Sequence, residues 1–160
     1  MTQKIAYRGG LVTFRLPENW VAEYEEEGGG IFYDESDDLG ILRLNVLTFK
    51  NYGAEEVSSK TIETMLNASS QAKGTPKPLP NGNILVAYEE TEIGDGEEIL
   101  IYYWEVGNPV PPAHVRLAIF SYTILASESE SPRAKEVLAF LDREIAASVF
   151  TPTLGEKVEN

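Results

Sequence analysis

Hydrophobic and polar positions alternate most regularly over residues 83–126, where three runs predict three long strands in succession, at 84–88, 99–104 and 115–122. Ile93-Gly94-Asp95-Gly96 lies between the first two, and an Asp-Gly pair is a strong tight-turn signal. Side chains alternate faces with period two, so Ile84, Val86 and Tyr88 share one face. A hairpin folded about Asp95 sets Leu100, Tyr102, Trp104 and Val106 beside them, making that face apolar and aromatic. Leu85 and Ala87 then join Ile99, Ile101 and Tyr103 on the opposite face, which turns acidic at Glu89 and Glu105. A sheet apolar on both faces near its middle needs cover on both.

The first quarter of the chain reads as a meander of shorter strands. Leu11 to Leu16 alternates and stops at Pro17, Trp20 to Tyr24 resumes, Ile31-Phe32-Tyr33 is short, and Gly40 to Phe49 is longer. Glu25 to Gly30 is too charged and glycine-rich to be anything but a turn. The period then changes. From Ala54-Glu55-Glu56-Val57 a helix is expected, with a stripe of Val57, Thr61, Met65 and Ala68 flanked by Ile62 and Leu66, and with Glu55 and Glu56 in its first turn. A second helix opens with Ser131 as N-cap and Pro132 at its first position. Its stripe runs through Ala134, Leu138, Leu141, Ile145 and Val149, widened by Val137 and Phe140, to an end near Phe150. These elements predict an α+β fold, with a single antiparallel sheet of about six to eight strands flanked by two amphipathic helices. One domain is expected over 1–160, with an ordered core of 10–150 and a polar tail at 151–160.

Charge changes this picture more than any other property. The 160 residues carry 26 acidic and 13 basic side chains, a formal charge of −13. Residues 18–38 hold nine carboxylates and no Lys or Arg, and residues 78–115 hold seven more, again with no base. Such a field repels phosphate backbones and anionic lipid heads, which excludes nucleic-acid and membrane-surface binding as expected functions. It attracts a basic protein partner. There is no cysteine, hence no disulfide or thiolate chemistry. The amino terminus shows no leader pattern and no run reaches membrane-spanning length, so a cytoplasmic setting is expected.

The element order and an opening Phe14-x-Leu16-Pro17-x-x-Trp20 motif resemble the superfamily of photosystem II PsbP subunits, the Ran-release factor Mog and bacterial DcrB-like proteins. The likeness covers about Gly10 to Phe150 and includes Trp104 in the middle long strand. It implies an antiparallel sheet between helices that binds proteins without catalysis, as some immunity proteins of similar fold do. No partner-contact residue is carried over from it.

Catalytic machinery is sparse. His114 is the one histidine, and it follows Pro111-Pro112-Ala113 at a strand start. Gly28-Gly29-Gly30 follows three glutamates, and no Lys-Ser or Lys-Thr comes after it, so a phosphate would be repelled there. Asp34-x-Ser36-x-Asp38-x-Gly40 spaces oxygen ligands as a calcium loop does, but Leu39 and Asn45 stand where an EF-hand needs Gly and Glu. No catalytic residue, cofactor or metal site is therefore assigned. The expected partner-binding residues are Tyr33, Asp34, Glu35, Asp37, Asp38, Glu89, Tyr103 and Glu105, with Tyr33 and Tyr103 partly exposed beside acidic loops. Two alternatives stay open: a carrier holding a small apolar ligand between the sheet and the Val57 helix, and a hydrolase built on carboxylates or a metal.

Overall fold

A computed structural model describes residues 1–53, 55–69 and 73–152. Its strands are β1 (Thr2–Tyr7), β2 (Val12–Pro17), β3 (Trp20–Tyr24), β4 (Gly30–Asp34), β5 (Gly40–Lys50), β6 (Lys77–Pro78), β7 (Ile84–Gly94), β8 (Glu97–Val110), β9 (His114–Leu125) and β10 (Val149–Phe150). Helix α1 spans Ser59–Ser69 and α2 spans Pro132–Ala146, the latter after a 3₁₀ turn at Ala126–Glu128. The α+β class and the antiparallel pairing are as expected from the sequence.

The single sheet is not. The strands divide into a seven-stranded sheet, ordered β3-β4-β5-β9-β8-β7-β6, and a three-stranded sheet, β1-β2-β10. Pro17 ends β2 without an N–H to extend its ladder, and the chain turns through Glu18 and Asn19 into the other sheet. Strand β1 lies inside the stretch expected to precede the core. Its alternation is short, yet Ile5 and Tyr7 are buried against β2. The small sheet and α2 together cover one face of the large one. Phe14 meets Phe32 and Phe120 edge-on at 5.5 and 5.2 Å, which locks the two sheets together.

Hairpin β7–β8 corrects the expected sharing of faces. Asp95 and Gly96 both take positive φ (53° and 80°), so the turn has two central residues and Gly94 pairs with Glu97. Tyr88 thus lies opposite Tyr103 and Val86 opposite Glu105, one residue away from the register expected. A slip of one residue exchanges faces. Trp104 and Val106 belong with Leu85 and Ala87 beneath α2, whereas Tyr103 and Glu105 belong with Ile84, Val86 and Tyr88 on the α1 side.

Helix α1 begins at Ser59, later than expected, and Ala54 lies outside the described residues. Ser58 exchanges hydrogen bonds with Thr61 at the helix entry (3.1 and 3.4 Å), so Glu55 and Glu56 precede the first turn. Buried Val57 and Ile62 sit together in the core across that cap, as a hydrophobic staple does. The buried ridge is Ile62 and Leu66, while Ala68 is exposed. Gly107 lets this ridge approach, because a Cβ there would lie 2.5 Å from Ile62 Cγ2.

Helix α2 starts as expected, with Ser131 Oγ accepting from Ala134 N–H at 3.1 Å. It ends at Ala146, short of Phe150, because Val149 and Phe150 leave the helix to pair with β2. Two asparagines close its carboxyl end. Asn81 donates to Ala146 O at 3.0 Å, and buried Asn83 donates to Ser148 O at 2.8 Å while accepting from Asn108. In the middle, Trp104 Nε1 donates to Asp142 Oδ1 at 2.7 Å. The polar tail expected at 151–160 lies outside the described residues from 153 onward.

Asn83→Ala is expected to cost about 1–3 kcal/mol by stranding buried partners. Gly107→Ala should cost about 1–3 kcal/mol by overpacking beneath Ile62. Urea denaturation at neutral pH measures both, and a Gly107→Ala protein as stable as the parent would contradict the close approach of α1.

Candidate functional site

The α1 side of the large sheet is only partly covered. Eleven helical residues span roughly 16 Å, whereas seven strands spread over roughly 29 Å. Helix α1 packs on β7, β8 and part of β9, burying Ile84, Val86, Val115 and Leu117. Beyond it lies an open face whose composition follows from cross-strand register. One row runs Val21, Tyr33, Ile41, Thr123, Ile101 and Glu90. The next runs Glu23, Ile31, Arg43, Ser121, Tyr103 and Tyr88. Along β5 the same face carries Ile41, Leu47 and Phe49, which are 37, 38 and 40 % exposed. Exposed apolar side chains thus share this face with Arg43 and Asn45, exposed between Ile41 and Leu47, and with Glu23 and Glu90 towards its two sides.

Tyrosines on this face are hydrogen-bond donors held in a negative field. Tyr33 donates to Glu23, and that bond, more than any other effect, raises its pKa. Tyr88 stacks on Tyr103 at 4.9 Å and donates to Glu105 Oε2 at 2.6 Å. Burial foremost, then the glutamate, raises the pKa of Tyr88, and burial with Glu90 and Glu92 does the same for Tyr103. These phenols stay neutral at physiological pH and supply no phenolate base. Lys73 lies over the Tyr88 ring at 5.2 Å and pairs with Glu90 at 3.8 Å.

The residues expected from the sequence do not form one patch. Tyr33, Tyr103 and Glu105 share the α1 side and are half-buried. Glu89 is exposed on the opposite face, opposite Tyr102. Glu35, Asp37 and Asp38 occupy the exposed β4–β5 connection. Asp34 turns inward instead: it is 5 % exposed and accepts from Arg133 Nη2 at 2.8 Å and from Ser36 N and Oγ at 2.9 and 2.6 Å. Arg133 also reaches Asp37 at 3.3 Å. These two carboxylates anchor the start of α2, and Asp34 in particular is occupied within the fold. Sequence reasoning missed Arg133 because it is 99 positions away. It marked Gly40 to Phe49 as a strand, but not that α1 leaves Leu47 and Phe49 on it exposed.

Among the described residues no three His, Asp or Glu side chains converge to hold a metal ion. Of the spaced oxygens, Asp34 Oδ1 accepts from both Ser36 N and Ser36 Oγ. A groove of about 480 Å³ runs between α1 and the end of β5, floored by Phe49, Met65 and Val115 with Lys50, Lys60 and Thr61 at its walls. No helix among the described residues is long and apolar enough to cross a membrane.

No family model and no curated protein matches the chain. Crystal structures that share its fold include these two. A protein from Bacteroides thetaiotaomicron is similar with a TM-score of 0.62 and 14 % identity, over 93 % of this chain and 48 % of that one, so the chain spans about half its length. LpqN of Mycobacterium tuberculosis, described as involved in cell envelope biogenesis, is similar with a TM-score of 0.59 and 11 % identity, over 95 % of this chain and 91 % of that one. At these identities the likeness is one of fold alone.

The bonds from Ser36 foremost, with Arg133 adding to them, hold the Asp34 carboxyl below its ordinary range. A depressed carboxyl contributes stability above its unfolded pKa of about 3.9, and that contribution is lost as pH falls through the folded value. Asp34→Asn should therefore be less stable than the parent by about 1–2 kcal/mol near neutral pH, with the gap closing below about pH 4. A gap that persists unchanged at low pH, measured by urea denaturation, would show that the charge is not what matters.

Proposed function

We propose that this chain is a non-catalytic protein-binding module of the adaptor or immunity kind that engages a basic partner. The observation that carries the reading is the open α1-side face, where Ile41, Leu47 and Phe49 each stay more than a third exposed. Exposed apolar side chains set among charged ones are how a binding patch is built, and area burial there supplies affinity while the charges select the partner. The formal charge of −13 favours a basic protein over nucleic acid or an anionic membrane. Neutral tyrosines and an internally bonded Asp34 support binding over turnover. Membership of the Mog/PsbP/DcrB-like superfamily belongs to the same proposal, on element order. So does a cytoplasmic setting. An envelope location, of the kind the description of LpqN suggests for that protein, is the fractionation result that would displace it.

A second reading rests on the groove beside α1. Its apolar floor and volume of about 480 Å³ suit a small apolar ligand. Saturable binding of a fluorescent acyl probe, abolished by Thr64→Trp in the groove wall, would favour this carrier role.

The leading reading is tested with the immobilised chain in a native lysate at low salt. The expected result is retention of a basic protein that elutes as salt rises, reduced at least about tenfold by the pair Leu47→Glu and Phe49→Glu at unchanged fold. A matrix that retains nothing basic overturns it.

A further inference from the structure

The outer edge of β7 lacks a strand neighbour over most of its length among the described residues. Strand β6 pairs only with Ile84 and Leu85, so among the described residues β7 has no sheet partner on that side from Val86 to Gly94. The two-residue turn makes Gly94 and Glu97 a hydrogen-bonded pair, and such pairs alternate along an antiparallel ladder. Odd-numbered residues of β7 therefore direct N–H and C=O away from β8. Two contacts agree with this: Leu85 is a register partner of Lys77 in β6, and Asn83 O accepts from Leu79 N at 2.8 Å. Ala87 comes next along the edge, with Gly74 against its carbonyl, and beyond it the outward groups belong to Glu89, Thr91 and Ile93, all exposed.

Both flanks of this edge are negative. Glu90, which pairs with Lys73 at 3.8 Å, and Glu92 lie on the α1 side, and Glu89 lies on the α2 side. On the α2 side the edge borders a hollow of about 280 Å³ lined by Ala87, Glu89, Tyr102, Trp104 and Asp142. An aromatic wall with two carboxylates suits the guanidinium or ammonium of a side chain lying across it. A second copy of this chain does not suit the edge. Antiparallel self-pairing about Thr91 would set Glu90 against Glu92, with like charges directly opposed.

We infer that the free edge of β7, at Glu89, Thr91 and Ile93, binds an extended basic segment of the partner as an added antiparallel or parallel strand, with an Arg or Lys side chain seated in the hollow beside Tyr102. Main-chain hydrogen bonds supply the affinity and the flanking carboxylates the selectivity. The inference rests on the reading of the chain as a binder of basic proteins and names the segment that such a partner presents.

Fluorescence anisotropy at low salt tests it with two labelled octapeptides of equal charge, one alternating arginine with threonine and one of two Arg-Arg-Pro-Pro repeats, which puts proline on both edges. Only the first can pair as a strand, and it should bind about tenfold tighter. Thr91→Pro removes an outward N–H without touching the β7–β8 ladder, and should abolish that preference. Glu89→Gln with Glu92→Gln should weaken the threonine peptide and flatten its salt dependence. Equal binding of both peptides to the parent chain overturns strand addition while leaving attraction of a basic partner in place. Binding of neither overturns both. Should Thr91→Pro fail to fold, the peptide comparison on the parent chain decides alone.

Discussion

The two-residue turn at Asp95 and Gly96 sets the parity on which the rest of the architecture depends. Because Gly94 pairs with Glu97, Trp104 faces α2 and Gly107 lies beneath α1. A turn one residue longer or shorter would send Tyr103 and Glu105 into the larger core and move Trp104 to the α1 side. It would also place a side chain where Ile62 needs an open backbone. Both helices are therefore seated by the same hairpin, through opposite faces of one strand.

Helix α2 is then tied down along its whole length by polar contacts that complement its apolar ridge. Arg133 holds its first turn to Asp34 and Asp37, Asp142 takes the indole of Trp104, and Asn81 and Asn83 take up the carbonyls at its end. Each contact joins the helix to a different part of the chain, so the small sheet, the large sheet and α2 close around one core. Helix α1 has a smaller core of its own and a shorter reach. This asymmetry, and not any local feature of β5, is what leaves half of a sheet face open.

The same asymmetry separates structural charge from surface charge. Asp34 and Asp37 are engaged by a single arginine in the fold. Glu89, Glu92, Glu97 and Glu98 crowd the protruding β7–β8 hairpin, where water screens them and no base lies within the hairpin. Their mutual repulsion keeps a long strand edge from pairing with itself, the hazard that any such edge presents.

The amino-acid sequence by itself determined the class and order of most elements. Period-two runs marked β2 to β5 and β7 to β9, and Ser131-Pro132 marked the start of α2, because alternation and capping are local properties of a few neighbouring residues. It also determined the acidic excess, the single histidine and the lack of cysteine. Tertiary structure alone decided that β1, β2 and β10 form a second sheet, since two-residue and weakly apolar strands exist only through their partners. It decided the register of β7 and β8 through the φ angles of a turn whose length an Asp-Gly pair leaves open. It paired Asp34 with an arginine far along the chain, removing one acid from the surface. And it left Leu47 and Phe49 exposed, because which side chains of an alternating strand meet water depends on how far a distant helix reaches.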